Sequence, residues 1–274
     1  MIPRDFITEW RARVPWVSDL QVEQDLVISR ALVELFSRTA IAGALAFRGG
    51  TALYKLHLHP PARYSEDIDL VQVDAGPIGP VLEEVRAALD PWLGEPRWKQ
   101  GEGRVTLVYR FDSEGLPSVR MKLKVEINTR EHFAVFGHHS RRFDVAGRWS
   151  SGSAGILGYH LDELLATKLR ALFQRKKGRD LFDLALAIRT APVDSRRVVE
   201  AFSRYMAEEA GRVTRAEFER NLAQKRADPV FTGDITPLLA PGHTWDFQAA
   251  FESVHRELVA LLPGEPWKGW AKEG

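Results

Sequence analysis

Two aspartates, Asp67 and Asp69, stand either side of Ile68 in the segment SEDIDLVQ. In an extended strand, side chains two apart share a face, so both carboxylates point the same way. Like charges that close repel each other unless something positive lies between them. Either the strand end is fully solvated, or a divalent metal supplies the missing charge. Further along, the segment SVRMKLKVEINT alternates cleanly. Val119, Met121, Leu123, Val125 and Ile127 fall on one face, and Arg120, Lys122, Lys124 and Glu126 on the other. If that strand lies near the aspartates, Glu126 becomes a third carboxylate beside Asp67 and Asp69. Three carboxylates make a hard oxygen donor set, suited to Mg²⁺ or Mn²⁺ rather than zinc. Two such ions about 3.5–4 Å apart activate an attacking hydroxyl and stabilise a leaving phosphate oxygen.

Gly49 and Gly50 precede the apolar helix pattern TALYKLHL. Paired glycines let backbone approach an anion closely, and a helix N-terminus aims its free N–H groups at that anion. Each piece also has a bland reading. Asp-x-Asp arises by chance, Gly-Gly is an ordinary turn, and a lone strand glutamate is usually solvated.

A second group lies in TKLRALFQRKKGRDLFDLALA. Lys168 and Arg175, seven apart, share one helical face, while Leu165, Leu169 and Leu172 hold another. A lysine beside a triphosphate acts as a point cation. Asp180 and Asp183 fall near the start of the next helix, where carboxylates suit the dipole. The bland alternative is a pair of helix-capping aspartates after a solvated RKKGR loop. His57, His59, His138, His139 and His160 lack metal-ligand spacing and read as surface or core histidines.

These residues need elements to hold them. A helix is expected over residues 18–38, with Ser18 and Gln21 as a capping box. A short strand LAFRG, the glycine turn and a helix follow, then the aspartate strand, AGPIGP and the helix PVLEEVRAAL. RVTLVYRFD and SVRMKLKVEINT are two further strands. The segment WSSGSAG, residues 149–155, reads as a boundary, beyond which the period is helical, with Thr214 and Glu217 as another capping box. The expected organisation is a mixed α/β domain over 1–150, N-terminal helices included, and a helical domain over 151–274.

With 274 residues, 45% of them hydrophobic and 27% charged, the chain can bury a sizeable core. It has no cysteine, so disulfides and thiolate metal sites are excluded. No apolar run approaches a membrane span, and MIPRDFITEWRARV carries acids and no signal core. A cytoplasmic location without membrane contact is the expectation. The net charge of +1 conceals an asymmetry: residues 140–226 hold 18 Lys or Arg against 11 Asp or Glu, a surplus of seven. A basic region of this kind suits a polyanionic partner.

The order of strand, Gly-Gly, helix, Asp-x-Asp strand and later single-acid strand resembles the polymerase-beta-like nucleotidyltransferase superfamily. FRGGTALYKLHL and RYSEDIDL, with HLDELLATKLRALFQRKKGRDLFDL, resemble the AbiEii/AbiGii toxin family, which includes the MenT toxins. The likeness spans about residues 30 to 190. It implies an α+β fold: a mixed-sheet nucleotidyltransferase domain followed by a helical one. It implies that Gly49, Gly50, Thr51 and Ser65 meet the NTP, and that Asp67, Asp69 and Glu126 hold Mg²⁺ or Mn²⁺. Thr51 stands where the superfamily often has serine. Lys168 and Asp183 are implied to be catalytic, with Lys168, Arg179 and Asp180 at the nucleotide and Asp180 orienting Arg179 or Lys168. The implied activity is transfer of NMP from an NTP by a toxin of a toxin–antitoxin or phage-defence system, with a cognate antitoxin. In the MenT branch the acceptor is the 3′ end of tRNA, which would block translation. Two alternatives are a protein or small-molecule hydroxyl as acceptor, and a non-catalytic nucleotide-binding module.

Overall fold

The computed structural model describes residues 2–209 and 211–269. The chain divides into two compact units between Tyr159 and His160. In the first, helices α1 (Arg4–Arg11), α2 (Asp19–Phe36) and α3 (Thr39–Ala42) precede β1 (Leu45–Arg48) and α4 (Gly49–Leu56). Then come β2 (Asp67–Gln72), α5 (Gly79–Leu93), β3 (Arg97–Gly101), β4 (Arg104–Asp112), β5 (Arg120–Asn128), β6 (His138–Ala146) and β7 (Ser151–Tyr159). The seven strands form one mixed sheet in the order β3-β4-β5-β2-β1-β7-β6. β2 runs parallel to β5 and β1 parallel to β7, while the remaining neighbours are antiparallel.

One sheet face is core. Val105, Leu107, Tyr109 and Phe111 of β4, Leu123, Val125 and Ile127 of β5, and Ile68 and Leu70 of β2 are buried there. Each such side chain removed from water contributes about 1.5–3 kcal/mol. The Tyr109 hydroxyl donates to Asp90 of α5 at 2.9 Å, which ties that helix to the sheet. Helix α2 is buried almost all round, as a central helix must be. Its Asp25 accepts from the indoles of Trp10 and Trp16 and, at 2.8 Å, from Lys55 of α4. This buried carboxylate fastens α1, α2 and α4 to one another. The expected Ser18 capping box does not form. Asp19, paired with Arg11, supplies the negative charge at that helix start instead.

The boundary expected at 149–155 falls inside the sheet. β6 and β7 form a hairpin from Ala146↔Ser151 to His138↔Tyr159, so the helical unit begins at His160 rather than at 151. Its glycines look like a linker because they have no side chains, but crowding is the reason for them. A Cβ on Gly152 would come within 2.9 Å of Val33, and one on Gly155 within 2.8 Å of Ser140.

The second unit holds α6 (Leu161–Gln174), α7 (Gly178–Thr190), α8 (Ser195–Glu209), α9 (Arg215–Arg226), α10 (Pro229–Gly233) and α11 (Phe247–Glu257). The Thr214–Glu217 capping box forms as expected. Leu165, Leu169, Leu172, Leu184, Phe202, Phe218 and Phe231 fill its core. No helix among the described residues is long and apolar enough to cross a membrane.

Candidate active site

Strand register brings the acids of the first unit together. Asp69 lies opposite Glu126 on the parallel neighbour β5, and Asp67 lies opposite Lys124. On the other side Asp69 faces Arg48 of β1. Residues in register on adjacent strands share a face, so Arg48, Asp69 and Glu126 form one row, with Asp67 and Lys124 in the next.

The glycine turn is built against this row. Gly49 has φ +83°, a region that favours glycine, and a Cβ there would collide with the Asp69 carboxylate. A Cβ on Gly50 would meet Arg63 at 2.7 Å and Ser65 at 3.0 Å. Helix α4 therefore starts at Gly49 itself, with its first turn beside the carboxylates. Thr51 is buried; its hydroxyl lies 2.9 Å from that of Ser65 and donates to the Asp67 carbonyl at 2.5 Å. Thr51 and Ser65 thus fasten the glycine turn to the start of β2.

Three cations answer the acids. Lys124 Nζ is 2.9 Å from Asp67 and 3.7 Å from Glu126. Arg104 reaches Glu126 at 3.6 Å, and Arg48 pairs with Glu131. Glu131 is set by Asn128, whose side-chain oxygen accepts from the Arg130 and Glu131 amides at 2.9 Å. Burial pushes the Asp69 carboxyl up; Asp67 and Glu126 add to the shift and Arg48 opposes it. Burial pulls the Lys124 ammonium down, but Asp67, Glu126 and Asp69 outweigh it and the group is raised. None of these cations was singled out from the sequence as a site residue. Lys124 was legible by period, two residues before Glu126 on the same strand face.

The donor set suits a hard divalent cation. Asp69 sits where a negative charge is unfavourable, and an ammonium already stands between Asp67 and Glu126. Among the described residues no group of three or more His, Cys, Asp or Glu side chains is placed to hold a metal ion. The acids share one face with Lys124 filling the gap between two of them.

Lys168, Asp180 and Asp183 form their own cluster in the second unit. Lys168 Nζ on α6 lies 2.9 Å from Asp183 and 3.4 Å from Asp180 on α7. Both aspartates are fully buried and Lys168 is 7% exposed. Asp180 also accepts from Arg175 at 2.7 and 2.9 Å. It therefore contacts Lys168 and Arg175, and not Arg179. Arg179 turns to Asp234 at 3.2 Å. Lys225 donates to the last carbonyls of α6, those of Leu172 and Phe173, and burial pushes its ammonium down to about 8.

An acid pair on one strand, a third acid in register on the next and a tight glycine turn against them thus lie together on the first unit's sheet. Residues 30–253 match the family described as nucleotidyl transferase AbiEii toxin of type IV toxin–antitoxin systems. The chain belongs to this family and is a nucleotidyltransferase with an α+β fold. The fold is similar to that of MenT4, a nucleotidyltransferase toxin from Mycobacterium tuberculosis H37Rv. That likeness has a TM-score of 0.66 at 20% identity and covers 96% of this chain and 91% of the other. A structure from H. pylori assigned as a nucleotidyltransferase aligns with a TM-score of 0.57 at 19% identity, covering 90% and 100%. No curated protein matches the sequence.

Proposed function

We propose that this protein transfers a nucleoside monophosphate from an NTP to the 3′ end of tRNA, and so blocks translation as the toxin opposed by a cognate antitoxin. The observation that carries the reading is the row of Arg48, Asp69 and Glu126, with Asp67 beside it, set against the Gly49–Gly50 turn. Asp67, Asp69 and Glu126 would hold Mg²⁺ or Mn²⁺. Such ions, when bound, polarise the phosphate and neutralise the charge that develops on it.

The chain's own groups account for the rest. The acceptor hydroxyl oxygen forms a bond to the α-phosphorus, the bond from that phosphorus to the bridging oxygen breaks, and pyrophosphate leaves. The hydroxyl proton passes to Glu126. The free N–H groups at the start of α4 bind phosphate oxygens, and Gly49 and Gly50 admit them because no side chain intervenes. Thr51 and Ser65 contribute by holding the turn. In the second unit Asp180 and Asp183 hold the Lys168 ammonium and Asp234 holds Arg179, and a phosphate-binding role for these two cations is part of the same proposal.

The test is incubation of the protein with total RNA and Mg²⁺, with each labelled NTP supplied separately. Label should enter the tRNA band with at least one nucleotide and should be absent with Asp69→Asn. Failure of all four NTPs with every tRNA would move the acceptor to a protein or small-molecule hydroxyl.

A further inference from the structure

The sheet face that carries the acids continues across β5, β4 and β3, and there its charge changes sign. Arg110 of β4 lies directly opposite Lys122 of β5. Arg97 and Lys99 of β3 lie opposite Val108 and Thr106 of β4, which in turn face Lys124 and Glu126. Arg97, Lys99, Arg104, Arg110, Arg120 and Lys122 are all exposed, while the opposite face of β4 and β5 is core.

Partners divide these six cations. Arg104 leans to Glu126, and Arg120 pairs with Asp112 at 2.8 Å. Arg97, Lys99, Arg110 and Lys122 make no ion pair with any described residue. Like charges directly opposite on neighbouring strands destabilise a sheet, and the Arg110–Lys122 pair is of that kind. A solvated sheet face normally intersperses both signs. Four unanswered cations on one face, two of them directly opposed, call for an anion from outside the protein.

Position and extent indicate which anion. Two residues along a strand span about 6.6–6.8 Å, so Lys122 is one such step from Lys124, the ammonium that touches Asp67. A cavity of about 560 Å³ adjoins this end and is lined by Arg110, Arg120, Lys122, Gln24, Tyr64 and Glu66, the last being the residue before Asp67. The cations spread over three strands, about 10 Å across at ordinary strand spacing. A chain of phosphates fits that breadth better than one triphosphate does.

We propose that the outward face of β3, β4 and β5 docks the sugar–phosphate backbone of the RNA acceptor and leads its 3′ end to Asp67 and Asp69. This rests on the reading of the acceptor as RNA. Backbone contacts carry no sequence information but fix register and orientation, which is what delivery of one terminal hydroxyl requires.

The experiment measures binding of labelled bulk tRNA across a salt series, for wild type and for Arg97→Glu/Lys99→Glu/Arg110→Glu/Lys122→Glu. Heparin binding and Mn²⁺–ATP binding are measured alongside. The wild type should show a steep salt dependence. The variant should bind tRNA at least tenfold more weakly, with a slope shallower by about 2 to 4, since each lost phosphate contact removes about 0.9. Its Mn²⁺–ATP affinity should be unchanged and its melting temperature equal or higher, which shows that it is folded. Unchanged tRNA affinity and slope in the folded variant would overturn the surface and leave the RNA reading standing. Wild type that binds heparin through these residues but binds no tRNA would overturn the RNA acceptor instead.

Discussion

At the scale of single residues, the site is balanced between repulsion and a substitute cation. Asp69 is raised chiefly by burial and then by Asp67, so its charged form costs the folded state stability. A raised carboxyl contributes stability that is fully present below its ordinary value of about 3.9 and is lost as pH rises through its folded value. Asp69→Asn should therefore abolish transfer while the metal-free protein melts at the same or a higher temperature at pH 7.5. That gain should vanish when the melts are repeated near pH 4. Lower stability at pH 7.5 would mean that the charge is welcomed rather than tolerated. Lys124 makes the complementary case. It lies 2.9 Å from Asp67 and 3.7 Å from Glu126, where it relieves the repulsion that a divalent ion would also relieve. Lys124→Met should lower the melting temperature of the metal-free protein and enlarge the upward shift produced by Mn²⁺. Equal Mn²⁺ shifts in both proteins would show that the ammonium and the ion do not compete. The alternation of β5 made Lys124 and Glu126 visible in the sequence as neighbours on one face. The resemblance implied Glu126 beside Asp67 and Asp69, but the register that sets Lys124 opposite Asp67 was not visible, because parallel register is set by residues distant in the chain.

At the scale of elements, α6 and α7 form a unit around buried charge. The sequence suggested a lysine serving nucleotide from a helical face opposite the leucines. Lys168 is instead enclosed, with Asp180 and Asp183 both at 0% exposure. Removing one partner of a buried pair leaves an uncompensated charge, which typically costs about 3–5 kcal/mol. Lys168→Met should destabilise the fold on that scale in urea titrations. Adding Asp183→Asn should recover part of the loss, because it removes the carboxylate that Lys168 meets at 2.9 Å, while Asp180 keeps Arg175. Activity separates scaffold from chemistry. If Lys168 serves the nucleotide, the double variant is refolded but inactive, whereas recovery of transfer together with stability would make the lysine purely structural. The helices themselves were legible from their 3.6-residue apolar period and from the Thr214–Glu217 box. Strands β3, β6 and β7 were not. β3 is exposed along its whole length and lacks a buried face to generate alternation, and β7 hides behind glycines required by its crowded neighbours.

At the scale of the whole molecule, the distribution of charge differs from what a linear count suggests. The window 140–226 contains seven more cations than anions, yet many of those cations are already answered. Arg142 pairs with Asp144, Arg148 with Glu9, Arg170 with Glu209 and Arg204 with Glu208. Lys176 and Lys177 pair with Asp228 and Asp234, acids that lie just beyond the window and so escaped the count. The segment 97–124 lies outside that window, yet it holds seven Lys or Arg against three Asp or Glu. Strand alternation sorts those cations onto one face, which no sum over sequence reveals. The two regions therefore predict different outcomes. Reversing Arg175, Lys176 and Lys177 to glutamate breaks ion pairs to Asp180, Asp228 and Asp234 and sets like charges against each. A loss of about 2 kcal/mol would lower the melting temperature by roughly 4–8 °C for a chain of this size. The salt slope of tRNA binding should stay that of the wild type in the protein that remains folded, because those three side chains are committed internally. Melting curves and the salt series on this triple variant decide the matter: an unshifted melt with a shallower slope would place the RNA contact on the helical unit instead of the sheet face.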